Sequence, residues 1–210
     1  MTSELADPMD EADPIVHATS PHAEDATFHY VIDPQGSTFI AQAFATGLLS
    51  SFGHSPKLAI RDFKGELSFR QNGMSIEGAR LNISIQADSL EVSDDIAEKD
   101  RQEIHRKMCE EVLDTDRFSE IVYACSRVSA SGSGARYWVS LNGELRLHGV
   151  TRPMPVSARA VINGSSLRAS GEFSVRQSQF GIAPVSAVAG AIKIKDEVKC
   201  TFDILARKQE

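Results

Sequence analysis

Alternation of apolar and polar residues with a period of two runs through the chain from Thr27 onward, and it constrains the fold more than any other feature. Phe63, Gly65, Leu67 and Phe69 alternate with Lys64, Glu66, Ser68 and Arg70, and Leu81, Ile83, Ile85 and Ala87 with Asn82, Ser84, Gln86 and Asp88. Leu141, Gly143, Leu145 and Leu147 interleave with Asn142, Glu144, Arg146 and His148, and Val198, Cys200, Phe202 and Ile204 with Lys199, Thr201 and Asp203. Successive side chains of a strand point to opposite faces, so the pattern predicts strands with one face buried. Residues 28–32, 37–44, 121–128, 155–162 and 166–175 read as further strands, separated by turn residues such as Gly132-Ser133-Gly134 and Asn163-Gly164.

One segment departs from this period. In residues 98–113, EKDRQEIHRKMCEEVL, the apolar Ile104, Met108 and Val112 recur every four residues among charged neighbours, which predicts a short amphipathic helix. Asp95 followed by Glu98 has the spacing of a capping box that would satisfy the first N–H groups of that helix. A single helix among eight or more strands cannot build parallel βαβ units, so the chain is an all-β sandwich or barrel. Gly65, Gly143 and Gly171 interrupt good strand patterns, where glycine costs stability unless the strand bends or something approaches the backbone closely. Repeated bends favour a closing sheet, with ordinary bulges in a sandwich as the alternative.

The chain has 210 residues, 41% of them hydrophobic, enough for one sizeable core. Its net charge of -7 is unevenly distributed: Glu4, Asp7, Asp10, Glu11, Asp13, Glu24 and Asp25 precede any Lys or Arg, leaving 22 of the 29 acids against 22 bases in the remainder. Residues 1–26 therefore read as a flexible acidic leader and residues 27–210 as one neutral domain. A neutral body gives no electrostatic reason to expect nucleic acid or an anionic membrane surface as partner. The first residues lack the basic start and apolar stretch of a secretory signal, and no run approaches the roughly 18 apolar residues of a membrane span, so a cytoplasmic location is expected. Cys109, Cys125 and Cys200 are odd in number and without a CxxC pair, which suits reduced thiols.

Chemistry-bearing constellations are sparse. Of the histidines, His17 and His22 lie in the leader, His105 on the polar part of the predicted helix, and His148 on the solvent phase of its strand; His29 has no neighbouring partner in the sequence. His54, within Ser51-Phe52-Gly53-His54-Ser55-Pro56, is either a polar anchor at a pocket mouth or a histidine bonded to its own loop. A lone imidazole lacks the partners that nucleophilic catalysis needs, and the acids at 94, 95, 98 and 100 feed the helix start rather than a metal, so neither an enzyme nor a metal site is expected. The positive signal is apolar content on the inner phase: Phe44, Phe52, Phe63, Phe69, Ile83, Ile85, Leu145, Leu147, Phe173, Phe180 and Phe202, with His54 as the polar anchor. Small residues sharing that phase, Ala41, Ala43, Ala45, Gly65, Ala87, Ala124, Gly143, Ala158, Ala160, Ala169 and Gly171, leave room for a cavity in a barrel of about eight strands.

Several segments in order carry a resemblance to a known family. Tyr30-Val31-Ile32-Asp33-Pro34 with Ser37, Phe52-Gly53-His54 before Phe63-Lys64-Gly65, Phe118-Ser119-Glu120-Ile121, Leu141-Asn142-Gly143-Glu144-Leu145 running into His148-Gly149-Val150-Thr151-Arg152, and Gln179-Phe180-Gly181-Ile182 resemble the YceI-like polyisoprenoid-binding proteins. Glu120 stands where that family commonly has Pro, and Gln179 where it has Asp. The resemblance implies an eight-stranded antiparallel lipocalin-like barrel that holds a long apolar amphiphile, such as a polyisoprenoid, quinone or lipid, with no cofactor beyond that ligand. Binding, sequestration or transport of a hydrophobic small molecule is the function it implies. Two other readings remain: a hydrolase or isomerase of apolar substrates using His54 near Ser51 and Ser55, and an interaction protein using the acidic leader. The sequence is silent on oligomeric state, although strands exposed at a barrel's splayed ends could pair in a homodimer.

Overall fold

The computed structural model describes residues 26–46, 55–72, 75–183, 186–187 and 192–209. In chain order the strands are β1 (Ala26–Ile32), β2 (Thr38–Gln42), β3 (Ala45–Thr46), β4 (Lys57–Ile60), β5 (Phe63–Asn72), β6 (Ser75–Gln86) and β7 (Leu90–Val92). Helix α1 (Glu98–Lys107) follows, widening into a π-turn over Met108–Leu113. The remaining strands are β8 (Glu120–Cys125), β9 (Val128–Ser133), β10 (Arg136–Leu147), β11 (Val150–Asn163), β12 (Ser166–Arg176), β13 (Ser186–Ala187), β14 (Ile192–Ile194) and β15 (Glu197–Lys208).

Eight staves close into an antiparallel barrel in the order β1, β5, β6, β8, β10, β11, β12, β15 and back to β1. Strands β8 and β9 are two halves of one stave, both paired with β10 and separated where the Arg127 carbonyl accepts from the Asn142 N–H. The barrel closes through Tyr30 opposite Lys208, Val31 opposite Arg207 and Ile32 opposite Ala206. Farther along, β15 exchanges β1 for β2, pairing Lys199–Asp203 with residues 38–42, and the sheet continues through β4 to β7. Asp33 makes this change of partner possible. Its carboxylate accepts from the N–H groups of Gln35 and Gly36 and from Arg207 Nε at 2.9 Å, while Ser37 Oγ donates to its carbonyl at 2.7 Å. The Arg207 hydrogen bond, first among several, holds the Asp33 carboxyl below the usual carboxylate range.

The period-two reading fixes the inward face correctly on most staves. Tyr30, Ile32, Phe63, Phe69, Ile85, Leu145, Leu147, Cys200 and Ile204 are all buried in one cluster. Ala124 is the exception among the small residues: it is exposed, because Ile121, Tyr123 and Cys125 take the inner phase of β8. The in-strand glycines answer to close approach. A Cβ on Gly143 would meet the Tyr123 phenol at 2.6 Å, and one on Gly171 the Phe202 ring at 2.8 Å. Gly143 and Gly171 give their space to aromatic rings on neighbouring staves, whereas a Cβ on Gly65 would meet Ile32 Cδ1 at 2.7 Å and the Asn82 carbonyl at 2.8 Å.

The two ends of the barrel differ. One, the hairpin end, carries the β5–β6, β9–β10 and β11–β12 turns together with the start of β1 and the end of β15. At the other, β11 pairs with β12 only over residues 158–163, so its earlier half parts from β12, and Pro153 and Pro155 sit where the strand has β10 alone as neighbour. The single-turn helix Gln177–Phe180 packs on that half of β11, and Phe180, with 0% of its surface exposed, belongs to the core there. Helix α1 lies against β7, and the π-turn that follows it buries Met108 and Leu113.

Several local expectations change. The helix begins at Ala97 with no side-chain cap, so Asp95 does not form the capping box. His148 leaves the strand to open a two-residue turn with Gly149, both at positive φ (49° and 73°), the geometry that matches strand twist in tight hairpins. Gly164-Ser165 forms a turn one residue beyond the expected Asn163-Gly164, and Gly134-Ala135 forms one of which the expected Gly132-Ser133-Gly134 shares only Gly134, Gly132 and Ser133 belonging to β9. Among the described residues no helix is long and apolar enough to cross a membrane.

Candidate functional site

The barrel interior is apolar from end to end, and its middle is filled by aromatic rings. Phe39 lies between Phe63, Phe173 and Phe202 at centroid distances of 6.5, 6.3 and 6.3 Å, in edge-on arrangements. Phe39 shares its parity with Ala41 on β2, a signal that the sequence carried and that the expected site set omitted. Toward the hairpin end, Phe69 stacks on Phe28 and Tyr30 at 5.5 and 5.8 Å.

Between this stack and the turns of the hairpin end lies a cavity of about 100 Å³. Ala79, Ala130, Ala158, Ala160 and Ala169, from four different strands, supply its space, and Leu67, Phe69, Tyr137, Val139 and Leu167 stand among the other lining residues. Inward alanines on four strands shorten five side chains in one region of the barrel, and the larger residues around them keep it from collapsing on the gap. Among the described residues no charged one is buried, and Arg80 is the one charged residue among those lining the cavity. Burial pushes the Cys200 thiol up to about 12, away from the thiolate that reacts, and Cys125 is buried with its sulfur 3.5 Å from the Arg127 carbonyl. Burial likewise lifts the Tyr123 hydroxyl above its usual range, and it donates to the Met154 carbonyl at 3.1 Å.

Of the expected ligand-contacting residues, Phe69 alone lines the cavity. Phe63, Ile85, Leu145, Leu147 and Phe180 are buried in the same core, with Ile83, Phe173 and Phe202 packed half-buried against it. Phe44 stands apart between β2 and β3, where its carbonyl accepts from the Lys195 N–H and the Lys195 ammonium lies 5.9 Å from its ring centre. Phe52 and His54 lie outside the described residues, as does the leader through residue 25.

One thiol does stand beside an imidazole. His105 Nδ1 lies 3.0 Å from the Leu90 carbonyl, which assigns that nitrogen as donor and leaves Nε2 facing Cys109 Sγ at 3.7 Å. His105 thus faces β7 rather than solvent. Burial raises the Cys109 thiol, and Asp88, Glu110 and Asp116 raise it further against a hydrogen bond with Thr115, the opposite of what an activated nucleophile needs. His148 is also occupied, its Nδ1 3.2 Å from the Phe180 carbonyl and its ring 4.5 Å from that of Phe118. Among the described residues no group of three His, Cys, Asp or Glu could hold a metal ion.

A closed eight-stave antiparallel barrel with an apolar interior and no assembled acid, base or metal centre among the described residues defines the class of small β-barrels that enclose apolar space. Within that class the chain belongs to the YceI-like family, whose domain model matches residues 30–206. It is 30% identical over 136 residues to a UPF0312 protein of Shewanella baltica strain OS185, a match covering 64% of this chain and 63% of that protein; the chain thus spans less than two thirds of this relative. A UPF0312 protein of Shewanella oneidensis is 29% identical over the same length. Two solved structures share the fold. BcnA of Burkholderia cenocepacia superposes with a TM-score of 0.62 at 16% identity, covering 83% of this chain and 98% of that one. A polyisoprenoid binding domain from Saccharophagus degradans superposes with a TM-score of 0.63 at 11% identity, covering 86% and 98%.

Proposed function

We propose that the barrel binds a long apolar amphiphile, a polyisoprenoid, quinone or lipid, and sequesters or carries it without covalent chemistry. The observation that carries this reading is the alanine-lined cavity at the hairpin end. A gap of about 100 Å³ seats the leading end of an apolar tail, as apolar cavities of similar size take small hydrophobic guests. The rest of the tail takes the place of the half-buried rings of Phe28, Phe39, Phe173 and Phe202, which turn aside without leaving a buried polar group unsatisfied. Each methylene buried contributes about 0.8 kcal/mol, so a ten-carbon stretch offsets the ordering cost of tail and rings. Membership of the YceI-like family and the likeness to a polyisoprenoid binding domain support the same reading. We further place the protein in a reducing, cytoplasmic setting, a reading supported by the free thiols of Cys109, Cys125 and Cys200 and testable by cell fractionation.

Native mass spectrometry of the purified protein, before and after delipidation and titration with a polyprenol, a ubiquinone and a long-chain fatty acid, tests the binding. A one-to-one adduct with at least one of these supports it. A protein that takes up none of the three at micromolar concentration is not an apolar carrier.

A further inference from the structure

On the outside of the barrel, at the hairpin end, a groove of about 980 Å³ crosses β10, β11, β12 and β15. Its floor holds Trp138, 64% exposed, and Val161, 42% exposed, two of the few large apolar side chains the described surface leaves open. Its flanks are basic. Arg136, Arg159 and Arg168 line it against one acid, Asp203, which Arg168 holds with two hydrogen bonds of 2.7 and 2.9 Å. The Arg159 guanidinium lies 5.3 Å from the Trp138 ring, and among the described residues neither Arg136 nor Arg159 has a carboxylate within salt-bridge distance. An exposed indole sharing a groove with two guanidinium groups that have no carboxylate partner among the described residues is the composition of an interface for an acidic segment with apolar side chains.

We propose that this segment is the chain's own leader, residues 1–25, docked across the outer groove. Three observations select it over other occupants. Its charge is complementary, with seven acids and no Lys or Arg, and Leu5, Met9, Ile15 and Val16 lie among those acids to meet Trp138 and Val161. Its root is near: Ala26 sits opposite Gln71 at the hairpin end, the same end as the groove residues Ser133, Arg136, Asn163 and Ser166. From β1 the path to β11 crosses β15 and β12, three strand spacings or about 15 Å, and ten residues of chain span up to roughly 35 Å. Residues 4–16 therefore reach the groove with chain to spare. A second copy of the barrel is the poorer occupant, because a two-fold contact would set Arg136 and Arg159 against a face of the same sign.

Trp138 is the single tryptophan of the chain, so its fluorescence reads the groove directly. The test compares acrylamide quenching of the full-length protein with that of the leader variant Asp10→Asn/Glu11→Gln/Asp13→Asn, which leaves every barrel residue intact. At low salt the quenching constant is expected to be at least twofold larger in the variant, and 1 M NaCl is expected to raise the wild-type constant to the variant's value. Equal constants for the two proteins at low salt would overturn the proposal. So would protection that survives in the leader variant and grows with protein concentration, the signature of a second copy, or protection that arises only on adding phosphatidylglycerol vesicles.

Discussion

Tyr123 occupies the space that Gly143 vacates: a Cβ on Gly143 would fall 2.6 Å from both the Cζ and the hydroxyl oxygen of Tyr123. The ring cannot retreat without giving up its hydrogen bond to the Met154 carbonyl. Gly143→Ala is therefore expected to cost about 2–3 kcal/mol in urea denaturation, the usual cost of overpacking with a lost buried bond. Tyr123→Phe, which keeps the ring, is expected to cost about 1 kcal/mol. The relationship also predicts strong coupling: Gly143→Ala in a Tyr123→Ala background costs less than it does alone.

Phe180 packs on the half of β11 that does not bond to β12. It is wholly buried where the first half of β11 has parted from β12, and nothing in that region pairs the two backbones. Phe180→Ala is expected to cost about 3–5 kcal/mol, the range for a large buried side chain whose void cannot collapse. Hydrogen exchange should show the loss concentrated in residues 150–157, whose free edge the ring covers; uniform acceleration over all strands would contradict this.

Alkaline pH is expected to weaken the fold before acid does anything comparable to the core. Burial raises the Cys200 thiol from an ordinary 9.0 to about 12, and the Tyr123 and Tyr30 hydroxyls also lie above their ordinary 10.0. Above pH 9 the unfolded chain releases these protons first, so the native state binds more of them and stability falls as pH rises. Stability should change little between about pH 6 and 8 and fall between 9 and 12 by about 1 kcal/mol per pH unit for Cys200. In Cys200→Ala the slope of urea midpoint against pH between 9 and 10 should be visibly shallower.

Binding should fail when the cavity is filled from within. Ala160 is buried on the inner face of β11 opposite Tyr137, and a phenyl ring there would take the space that a tail is proposed to enter. Ala160→Phe is expected to lower affinity for an apolar tail by 10-fold or more, about 1.4 kcal/mol, while circular dichroism remains that of the wild type. Ala124→Phe, at an outward position, should leave affinity unchanged.

Much of this architecture was legible from parity alone. Phe63, Leu145 and Cys200 point inward because residues two apart share a face, and no tertiary information is needed to say so. The helix over residues 98–113 was equally plain, since Ile104, Met108 and Val112 keep a different period. Parity could not reveal the cavity, because Ala79, Ala130, Ala158, Ala160 and Ala169 become neighbours only through the register of strands distant in sequence. His105 was misread for a related reason: its partner, Leu90, begins a strand of three residues, too short to show any alternation. The glycines signal close approach but not its source, since the groups that approach belong to other strands.

The ring of staves is sealed by its first and last described members, and the clasp between them joins Asp33 to Arg207, 174 positions apart in the chain. During synthesis such a barrel cannot close until β15 has been made, so the staves already produced wait as an open sheet with β1 and β12 unpaired along one side. A seam of this span is slow to find and leaves strand edges open to other chains meanwhile. Whatever ligand the barrel takes, the interval before β15 arrives is when its interior is most accessible.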